Sequence, residues 1–555
     1  MVRATSDDQV ASLLAHASER GVAVVPRGAG TNLCGGFAPG AGSVVLDMSP
    51  MAKVVSIDPD LRRAVVEPGV INAHLQAQLV PHGLCFSPDP ASAAISTIGG
   101  NIIENAGGPG CLKYGVTFHH VAALEVVLAD GRRLSLAEDD AVDLLGLMIG
   151  SEGILGVVTR ATLKLRPLPV SAWTALAAFE RLEDAALTVS EIIAAGVVPA
   201  ALEMCDRRQV NLCEDWLPSG YPREAEAILF VELDDEPDDL EGQVSRLEPL
   251  LRRRDPELRL ARSAGERERL WAGRLAAAHA YKASGKSFYV CDVAVPRQRI
   301  PEMVAEARRI AARLDLDLAT VAHAGDGNVH PVILYHPAEI ERMRAGADAI
   351  AAAALELGGT LTGEHGIGTE KVRHMRRRFG AVEVAAFRTI KAAFDPAGIL
   401  NPGVMLPEPG PDEPELPHLA EAVRTALAGT APNRQVRGEL ARPGGIEVDV
   451  ENLVVSAGGA ESCAAAVSVL AAARFSCPAL QTPGTVGELV EGDGNAGEAR
   501  AALLAVEALL PDGHPAVFGS AAVKDVAGLD LKRLVAGGGG AFGRVTRATF
   551  RVRPA

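Results

Sequence analysis

The chain has 555 residues, of which 48% are hydrophobic and 22% are charged, as in ordinary globular proteins. This length exceeds what one hydrophobic core serves, so we expect about two to four domains. The formal charge of −16 excludes the clustered basic surface that non-specific nucleic-acid binding requires. We expect no signal peptide at the start of the chain, and no apolar run reaches the roughly 18 residues of a membrane span. We therefore expect a cytoplasmic protein without a transmembrane segment.

The predicted elements alternate between helix and strand from the start of the chain. Amphipathic spacing predicts helices over residues 9–18 and 300–314, and short apolar runs predict buried strands at 23–25, 43–46 and 64–66. Strands and helices mixed in this way indicate an α+β fold.

Glycine-rich segments dominate the first 160 residues. Pro26-Arg27-Gly28-Ala29-Gly30-Thr31-Asn32 follows a predicted strand, and closely spaced glycines let backbone N–H groups converge on a phosphate. On its own this segment is as typical of a plain turn. Three later segments favour phosphate binding over a plain turn. In chain order they are PDP…TIGGN…NAGG (88–108), LKYG (112–115) and GSEGILG (150–156). No acidic residue follows at the spacing of a Rossmann fold, so another dinucleotide-binding architecture is expected.

The strongest chemical signal lies between residues 323 and 366. His323 and His330 flank a Gly-Asp-Gly-Asn turn that can fold the segment back on itself, and Gly363-Glu364-His365-Gly366 follows. Two imidazoles and a carboxylate are suitable ligands for Zn²⁺ or Mn²⁺. The isolated His16, His82, His279 and His514 are more typical of structural or surface positions, and His119 and His120 of packing residues.

A proline-rich linker and an internal repeat mark the rest of the chain. Five prolines alternate with acidic residues between Pro407 and Pro417, which predicts a stiff linker. Residues 147–167 recur as residues 534–554, with Val-Thr-Arg-Ala-Thr unchanged, and Thr97–Gly100 has a weaker echo at Thr485–Glu488. Two echoes in the same order favour a duplicated domain over chance similarity.

Taken in order, the glycine motifs and the His/Glu motifs resemble those of the vanillyl-alcohol-oxidase (PCMH-type) flavoproteins, especially the catalytic subunit of glycolate oxidase and the D-lactate dehydrogenases. The resemblance implies a PCMH-type FAD-binding domain at 1–169 and a substrate and metal domain of the FAD-linked oxidases at 170–406. A linker at 407–417 and a degenerate module at 418–555 follow. It also implies non-covalent FAD, because the phosphate loop has no histidine, and Cys34 and Cys111 are interpreted as small buried residues. The residues implied to bind FAD are Pro26, Arg27, Gly28, Ala29, Gly30, Thr31, Asn32, Gly35, Gly36, Pro88, Asp89, Thr97, Gly99, Gly100, Asn101, Asn105, Gly107, Tyr114, Glu152, Gly156, Val157 and Asn401.

The same resemblance assigns the catalytic roles. It implies that His323, His330 and Glu364 bind the metal, that His365 is the base, and that Arg274 holds the substrate carboxylate, with a surface salt bridge as the alternative for Arg274. The expected reaction is oxidation of a small 2-hydroxy acid, glycolate or D-lactate, by proton abstraction and hydride transfer to flavin.

Two other functions stay open at this point. One is a D-2-hydroxyglutarate-type dehydrogenase, although Pro331-Val332 stands where such relatives have an asparagine, and the other is a flavin-binding scaffold without turnover. The eight scattered cysteines form no Cys-x-x-Cys pair. We therefore expect a separate iron–sulfur subunit or a quinone-linked acceptor, through which the protein could also reach the inner face of the membrane.

The C-terminal module resembles the second, non-metal subunit of glycolate oxidase, most clearly at residues 523–531. Its expected phosphate loop, residues 433–439, is not glycine-rich, and Glu488 and Gly538-Gly539 replace Gly100 and Ser151-Glu152. A Glu side chain would meet a pyrophosphate with like charge. We therefore expect a structural or docking module without FAD, with a shifted second flavin site as the alternative.

Overall fold

The computed structural model describes residues 1–430, 444–450, 452–492 and 496–554. Three regions of the chain have separate sheets: the N-terminal region (1–169), the central region (170–406) and the C-terminal module (418–554). The predicted helix at 9–18 forms over Asp7–Arg20, and the helix predicted at 300–314 forms over those residues. The three strands predicted from apolar runs also form, at Val24–Arg27, Val44–Asp47 and Arg63–Val66.

The first helix shows how local sequence sets an element's limits. The Ser6 side chain accepts a hydrogen bond from the Gln9 N–H, and Asp7 and Asp8 place negative charge at the positive end of the helix dipole. Gly21 ends the helix in the left-handed conformation that glycine adopts most easily. Val10 and Leu14, on one face, are fully buried.

The N-terminal region contains two main sheets. A parallel three-stranded sheet has the order β1-β3-β2, and an antiparallel five-stranded sheet has the order β4-β5-β9-β7-β8. A short antiparallel pair, β6-β10, completes the region. Its strands are β1 (Val2–Arg3), β2 (Val24–Arg27), β3 (Val44–Asp47), β4 (Val54–Asp58), β5 (Arg63–Val66), β6 (Leu84–Cys85), β7 (Val121–Val127), β8 (Arg133–Ala137), β9 (Val157–Lys164) and β10 (Arg166–Pro167), and its helices are α1 (Asp7–Arg20), α2 (Asn72–Leu79), α3 (Ile98–Glu104), α4 (Cys111–Tyr114) and α5 (Leu144–Met148).

The central region is built on one antiparallel sheet of eight strands. Seven strands follow the order β14-β11-β13-β12-β17-β18-β15, and β16 also pairs with β18. The strands are β11 (Ser171–Phe179), β12 (Ala201–Asp206), β13 (Ala227–Asp235), β14 (Glu257–Leu260), β15 (Ser287–Val290), β16 (Val293–Ala294), β17 (Asp317–His323) and β18 (Asn328–Tyr335), and the helices are α6 (Leu182–Ala194), α7 (Arg207–Trp216), α8 (Pro237–Arg252), α9 (Ala264–Leu275), α10 (Ala277–Ala283), α11 (Ile300–Leu314), α12 (Ile340–Glu356), α13 (Met375–Arg378) and α14 (Ala381–Phe394).

The end of the central region returns to the N-terminal region. The Val24 N–H donates to the Ile399 carbonyl at 2.8 Å, and the Asn401 N–H donates to the Val24 carbonyl at 2.9 Å. These bonds attach residues 399–401 to the parallel three-stranded sheet, so the two regions are joined at both ends of the central sequence.

The C-terminal module repeats the antiparallel part of the N-terminal region. Its five-stranded sheet has the order β19-β20-β24-β22-β23, which corresponds strand by strand to β4-β5-β9-β7-β8, and the pair β21-β25 corresponds to β6-β10. The strands are β19 (Ile446–Asp449), β20 (Val454–Gly458), β21 (Phe475–Ser476), β22 (Leu503–Leu509), β23 (Pro515–Gly519), β24 (Arg544–Arg551) and β25 (Arg553–Pro554), and the helices are α15 (Pro417–Leu427), α16 (Cys463–Ala472), α17 (Val486–Glu491), α18 (Ala496–Ala502) and α19 (Lys532–Val535). The segment 433–439, singled out in the sequence, lies outside the described residues. The module is thus a degenerate copy of the N-terminal fold.

Candidate active site

A β-hairpin brings His323 and His330 together. His323 ends β17, His330 lies in β18, and the register pairs His323 with Asn328 and Val321 with His330. The two imidazole centres are 5.1 Å apart in an edge-to-face arrangement. The predicted convergence of the two histidines is therefore confirmed.

The turn of this hairpin depends on Gly327. This residue has φ +86°, and a Cβ at this position would lie 2.1 Å from the Val295 carbonyl oxygen. We expect Gly327→Ala to lower the free energy of unfolding by about 1–3 kcal/mol through the clash, beyond the cost of positive φ. Gly358→Ala is the matched control, because Gly358 has φ +77° with nothing within 4 Å of the added Cβ. Urea unfolding of both variants measures the difference, and equal losses would show that the close approach to Val295 costs nothing.

Glu364 faces both imidazoles with one oxygen. Its Oε1 lies 3.1 Å from His323 Nε2 and 3.4 Å from His330 Nε2. Ligand atoms of a tetrahedral Zn²⁺ ion, each about 2.0–2.2 Å from the metal, lie about 3.3–3.5 Å apart. The spacing therefore fits a divalent metal, and the three ligand atoms all lie within 4.8 Å of one another.

Glu203 and Arg274 support His323 from the opposite edge of its ring. Glu203 Oε1 lies 2.6 Å from His323 Nδ1, and Glu203 Oε2 accepts a hydrogen bond from Arg274 at 2.6 Å. Burial alone would raise the pKa of Glu203, but His323 and Arg274 outweigh it and lower that pKa to about 2. A carboxylate on the second nitrogen is the usual means of orienting a metal-binding histidine. Arg274, predicted to hold a substrate carboxylate, is buried in this ion pair, so the alternative of a surface salt bridge is wrong.

Asp292 connects the two motifs. Its carboxylate accepts hydrogen bonds from the His365 N–H at 2.9 Å and from the Asn328 side chain at 2.7 Å, and the Thr362 hydroxyl donates to it as well. Although burial opposes ionisation, Lys371 and the neighbouring histidines hold the pKa of Asp292 well below its usual range. Asp292, His330 and His365 form a second possible metal group. The first group is the better candidate, because the donors around Asp292 already occupy its oxygens.

The His365 ring lies beside this cluster, and only its backbone N–H is hydrogen-bonded to Asp292. Its ring stacks on that of His330 with centres 5.1 Å apart, and its Nδ1 is buried without a hydrogen-bond partner. Burial lowers the pKa of His365 to about 4. A histidine that is neutral near pH 7, with one free nitrogen, can accept a proton.

The predicted phosphate loop lies against the beginning of α3. Thr97 caps α3 by accepting from the Gly100 N–H at 3.2 Å. A Cβ on Gly28 would lie 2.3 Å from Thr97 Oγ1, and one on Gly99 would lie 2.5 Å from the Pro68 side chain. A side chain at either position would clash with these neighbours. The N–H groups at the start of α3 are already paired, because Ile98 donates to the Val70 carbonyl and Gly99 to the Pro68 carbonyl, both at 2.8 Å. The backbone N–H groups of the loop that contains Gly28 are therefore the candidates for binding an anion.

Glu152 and Asn401, two of the residues predicted to bind FAD, connect the glycine-rich N-terminal motifs to the segment that follows His365. The Glu152 carboxylate accepts from the Ile367 and Gly368 N–H groups, both at 2.7 Å, and Asn401 Nδ2 donates to the Glu152 carbonyl at 2.7 Å. Glu104 lies beside Glu152, and burial raises the pKa of both, that of Glu152 to about 7. This junction fixes residues 366–368, and with them His365, against the N-terminal region.

Three buried polar atoms in this area have no hydrogen-bond partner: Asn101 Nδ2, Glu104 Oε2 and Asn401 Oδ1. Unpaired buried polar atoms are rare in native proteins and often mark a site for a bound group. Together with the glycine positions near Thr97 and Pro68, they fit a dinucleotide cofactor along the predicted residues.

The remaining predicted residues fall into three places. Those near the phosphate loop are Pro26, Arg27, Ala29, Gly30, Thr31, Asn32, Gly35 and Gly36, among which Asn32 Nδ2 donates to Glu104 at 2.7 Å. Gly156 and Val157 lie at the start of β9. The third group lies toward the central region and consists of Pro88, Asp89, Asn105, Gly107 and Tyr114. A Cβ on Gly107 would lie 2.5 Å from Glu364 Oε2, and the Tyr114 hydroxyl donates to Asp234.

Sequence reasoning missed three charged residues of the site, Glu203, Asp292 and Lys524. Glu203 and Asp292 each lie inside an apolar strand-like run, ALEMCD and YVCDVAV, and both are fully buried. An acidic residue within an apolar run was the sequence signal for these two positions, because a buried carboxylate requires a partner. Other sequence predictions are confirmed: Cys34 and Cys111 are buried, and His119 is enclosed against Phe118 with its pKa lowered to about 3 by burial.

Comparison with known proteins identifies the family. Residues 1–137 match the family model described as FAD binding domain, and residues 168–405 match that of the FAD linked oxidases, C-terminal domain. The chain is 42% identical over 408 residues to glycolate oxidase subunit GlcD of Escherichia coli (strain K12), which covers 72% of this chain and 82% of that protein. The chain belongs to the FAD-linked oxidase family.

Further relatives agree with this assignment. D-lactate dehydrogenase of Anaerostipes hadrus is 33% identical over 422 residues, covering 73% of this FAD-linked oxidase and 88% of that protein. The solved structure of p-cresol methylhydroxylase with substrate bound shares the fold, with a TM-score of 0.60 at 18% identity over 72% of this chain and 87% of that chain. Within the described residues of the FAD-linked oxidase, no helix is long and apolar enough to cross a membrane.

Proposed function

We propose that this FAD-linked oxidase oxidises a short 2-hydroxy acid, glycolate or D-lactate, to the 2-oxo acid. The observation that carries the proposal is His365, a half-buried neutral base that stacks on His330 and precedes Ile367 and Gly368, which donate to Glu152. The relatives named glycolate oxidase subunit GlcD and D-lactate dehydrogenase support the same substrate class.

The residues around Thr97, Glu152 and Asn401 would hold FAD without a covalent bond. Bound FAD supplies a two-electron acceptor for the hydrogen that leaves the substrate Cα as hydride. The glycines of the phosphate loop would direct backbone N–H groups toward the pyrophosphate. Asn101, Glu104 and Asn401 each keep a buried polar atom available for the cofactor.

His323, His330 and Glu364 would hold a divalent metal of the Zn²⁺ or Mn²⁺ type. Such an ion polarises and orients a bound hydroxy acid. Glu203 keeps the His323 ring in place, so that its Nε2 stays directed toward Glu364. Arg274 contributes through Glu203, and its predicted direct contact with the substrate remains a prediction.

His365 is the proposed base that removes the proton of the substrate hydroxyl. Its imidazole, whose Nε2 lies 3.8 Å from Glu364 Oε1, accepts the proton of the substrate hydroxyl as the Cα–H bond breaks, so that one proton goes to the histidine and one hydride leaves with two electrons. The Asp292 carboxylate, which accepts from the His365 N–H, fixes the backbone of the base. Residues 366–368, bonded to Glu152, keep that backbone against the N-terminal region.

We propose that the electrons then pass to a separate iron–sulfur subunit or a quinone-linked acceptor. All eight cysteines are free and buried, which supports a reducing, cytoplasmic location rather than a cluster within this chain. Contact with the inner face of a membrane would come through that partner.

The C-terminal module is proposed to bind no FAD. At the N-terminus of α17 the Glu488 side chain accepts from the Thr485 N–H at 2.9 Å, forming a capping box with it. This places a carboxylate where a pyrophosphate would need free N–H groups. The division of the chain at residues 169, 406 and 417 stays a prediction that the separate sheets support.

The substrate proposal is tested by a survey of short 2-hydroxy acids with an artificial dye acceptor. We expect glycolate or D-lactate to reduce the dye at least tenfold faster than 2-hydroxyglutarate, because Pro331-Val332 offers no polar group to a second carboxylate. Preference for 2-hydroxyglutarate would favour the alternative substrate, and absence of turnover with every acid would favour a scaffold role.

The metal proposal is tested by elemental analysis. We expect about one divalent ion per chain after incubation with Zn²⁺ or Mn²⁺, and loss of the ion in Glu364→Gln, which keeps the shape of the side chain but removes its charge. Glu232→Gln is the matched control, because Glu232 pairs with Arg267 on the central sheet, away from the cluster. Equal metal content in both variants would contradict the assignment of Glu364.

A further inference from the structure

One segment of the C-terminal module reaches the segment that carries Glu364. The Val526 N–H donates to the Thr362 carbonyl at 3.3 Å, and the Thr360 hydroxyl donates to Asp525 at 2.8 Å. Gly528, with φ +77°, packs against the Phe387 ring. Residues 524–528 therefore dock directly on the central region beside the histidine cluster.

Lys524 begins this segment and enters the site itself. Its ammonium lies 3.0 Å from Glu364 Oε2 and 3.2 Å from Asp326 Oδ2, and the side chain is 1% exposed. Glu364 thus directs Oε1 to the two histidines and Oε2 to this lysine. An ammonium group has three N–H donors, so two carboxylates leave one donor for a further acceptor.

Two other cations lie around the cluster. Arg274 is bound to Glu203 on the Nδ1 edge of His323 and keeps its Nε buried without a hydrogen-bond partner, whereas Glu364 faces the Nε2 edge. Lys371 donates to the Asp292 carbonyl at 2.7 Å. Among these three described cations, Lys524 alone forms an ion pair with Glu364.

We propose that Lys524 binds the carboxylate of the 2-hydroxy acid, so that the C-terminal module supplies part of the substrate site. This inference rests on the proposed oxidation of 2-hydroxy acids. A carboxylate needs a cationic partner in a buried site, and a lysine that already lies beside the metal-type ligands provides one without further movement of the backbone.

The test compares Lys524→Met with Lys532→Met in the full-length protein loaded with FAD. Lys532 is the matched control, because it is a buried lysine of the same module that pairs with Asp530 at 2.6 Å. Anaerobic stopped-flow reduction of the flavin by D-lactate or glycolate gives both the apparent Kd and the limiting rate. Oxamate, an unreactive monocarboxylate, gives a second Kd from the perturbation of the flavin spectrum.

We expect Lys524→Met to raise both Kd values roughly 10- to 100-fold, the loss of a charge-assisted hydrogen bond, with the limiting rate changed less than about threefold. Lys532→Met should leave both quantities near wild type. An unchanged Kd would overturn the proposal, and a lower limiting rate at unchanged Kd would show instead that Lys524 only positions Glu364.

Two measures keep the test decisive. Because Lys524→Met leaves Asp326 without its cation, Asp326→Asn/Lys524→Met is measured against Asp326→Asn, and the same rise in Kd is expected. Oxamate binding needs no turnover, so it reports on Lys524 even if no 2-hydroxy acid reduces the flavin. Failure of the proposed function and failure of this inference are thus separate results.

Discussion

Replacing His365 by alanine is expected to slow reduction of the bound flavin by substrate roughly 10²–10⁴-fold, while FAD stays bound. The imidazole supplies the only nitrogen among the described residues of this cluster that is both buried without a partner and adjacent to the junction with Glu152. No carboxylate can replace it, because Glu364 and Asp292 are held ionised by their neighbours, with pKa values well below the usual range. Anaerobic stopped-flow absorbance of the flavin measures the rate.

The control for this prediction is His279→Ala. His279 is an exposed histidine that stacks on Trp216 outside the cluster, so its loss should leave the reduction rate unchanged. His365→Asn, which nearly preserves the shape of the ring, should be as slow as His365→Ala. Normal flavin reduction in either His365 variant would rule out this residue as the base.

Replacing Glu203 by glutamine is expected to lower the free energy of unfolding by about 3–5 kcal/mol, because it leaves the buried Arg274 guanidinium without a counter-charge. That is a large share of the total stability of a typical domain, about 5–15 kcal/mol. The same change removes the carboxylate from His323 Nδ1, so metal affinity should also fall by roughly 10- to 100-fold. Urea unfolding and metal titration measure the two effects.

Glu191→Gln provides the comparison for Glu203. Glu191 pairs with Arg254 at 2.7 Å, but these side chains are 30% and 20% exposed, so solvent screens the pair. Its loss should cost no more than about 1 kcal/mol. Similar losses in the two variants would mean that the Arg274–Glu203 pair contributes no more than a surface salt bridge.

The sequence allowed the hairpin of His323 and His330 to be predicted because its signal is local. A Gly-Asp-Gly-Asn turn between two strands fixes the approach of two residues that are close in the chain. Glu203 and Arg274 are separated by 71 residues, and their pairing depends on where the fold places helix α9 relative to strand β12. Periodicity and motif spacing carry no information about such a contact.

The C-terminal module illustrates the same limit. The repeat of residues 147–167 at 534–554 predicted a duplicated fold, and the matching sheet orders confirm it. The same similarity predicted a structural or docking module without FAD. The docking role agrees with residues 524–528, but the contact of Lys524 with Glu364 arises from how two copies of one fold pack, which the repeat alone cannot specify.

In the proposed reaction, the histidine cluster and a bound flavin together oxidise a 2-hydroxy acid. The most direct measurement is anaerobic mixing of the purified, FAD-loaded protein with D-lactate or glycolate, followed by the absorbance of oxidised flavin. We predict that the absorbance of oxidised flavin is lost completely within the time of one catalytic turnover. One molecule of the matching 2-oxo acid should form for each flavin reduced. An unchanged flavin spectrum with every short 2-hydroxy acid, in protein loaded with both FAD and metal, would contradict the claim.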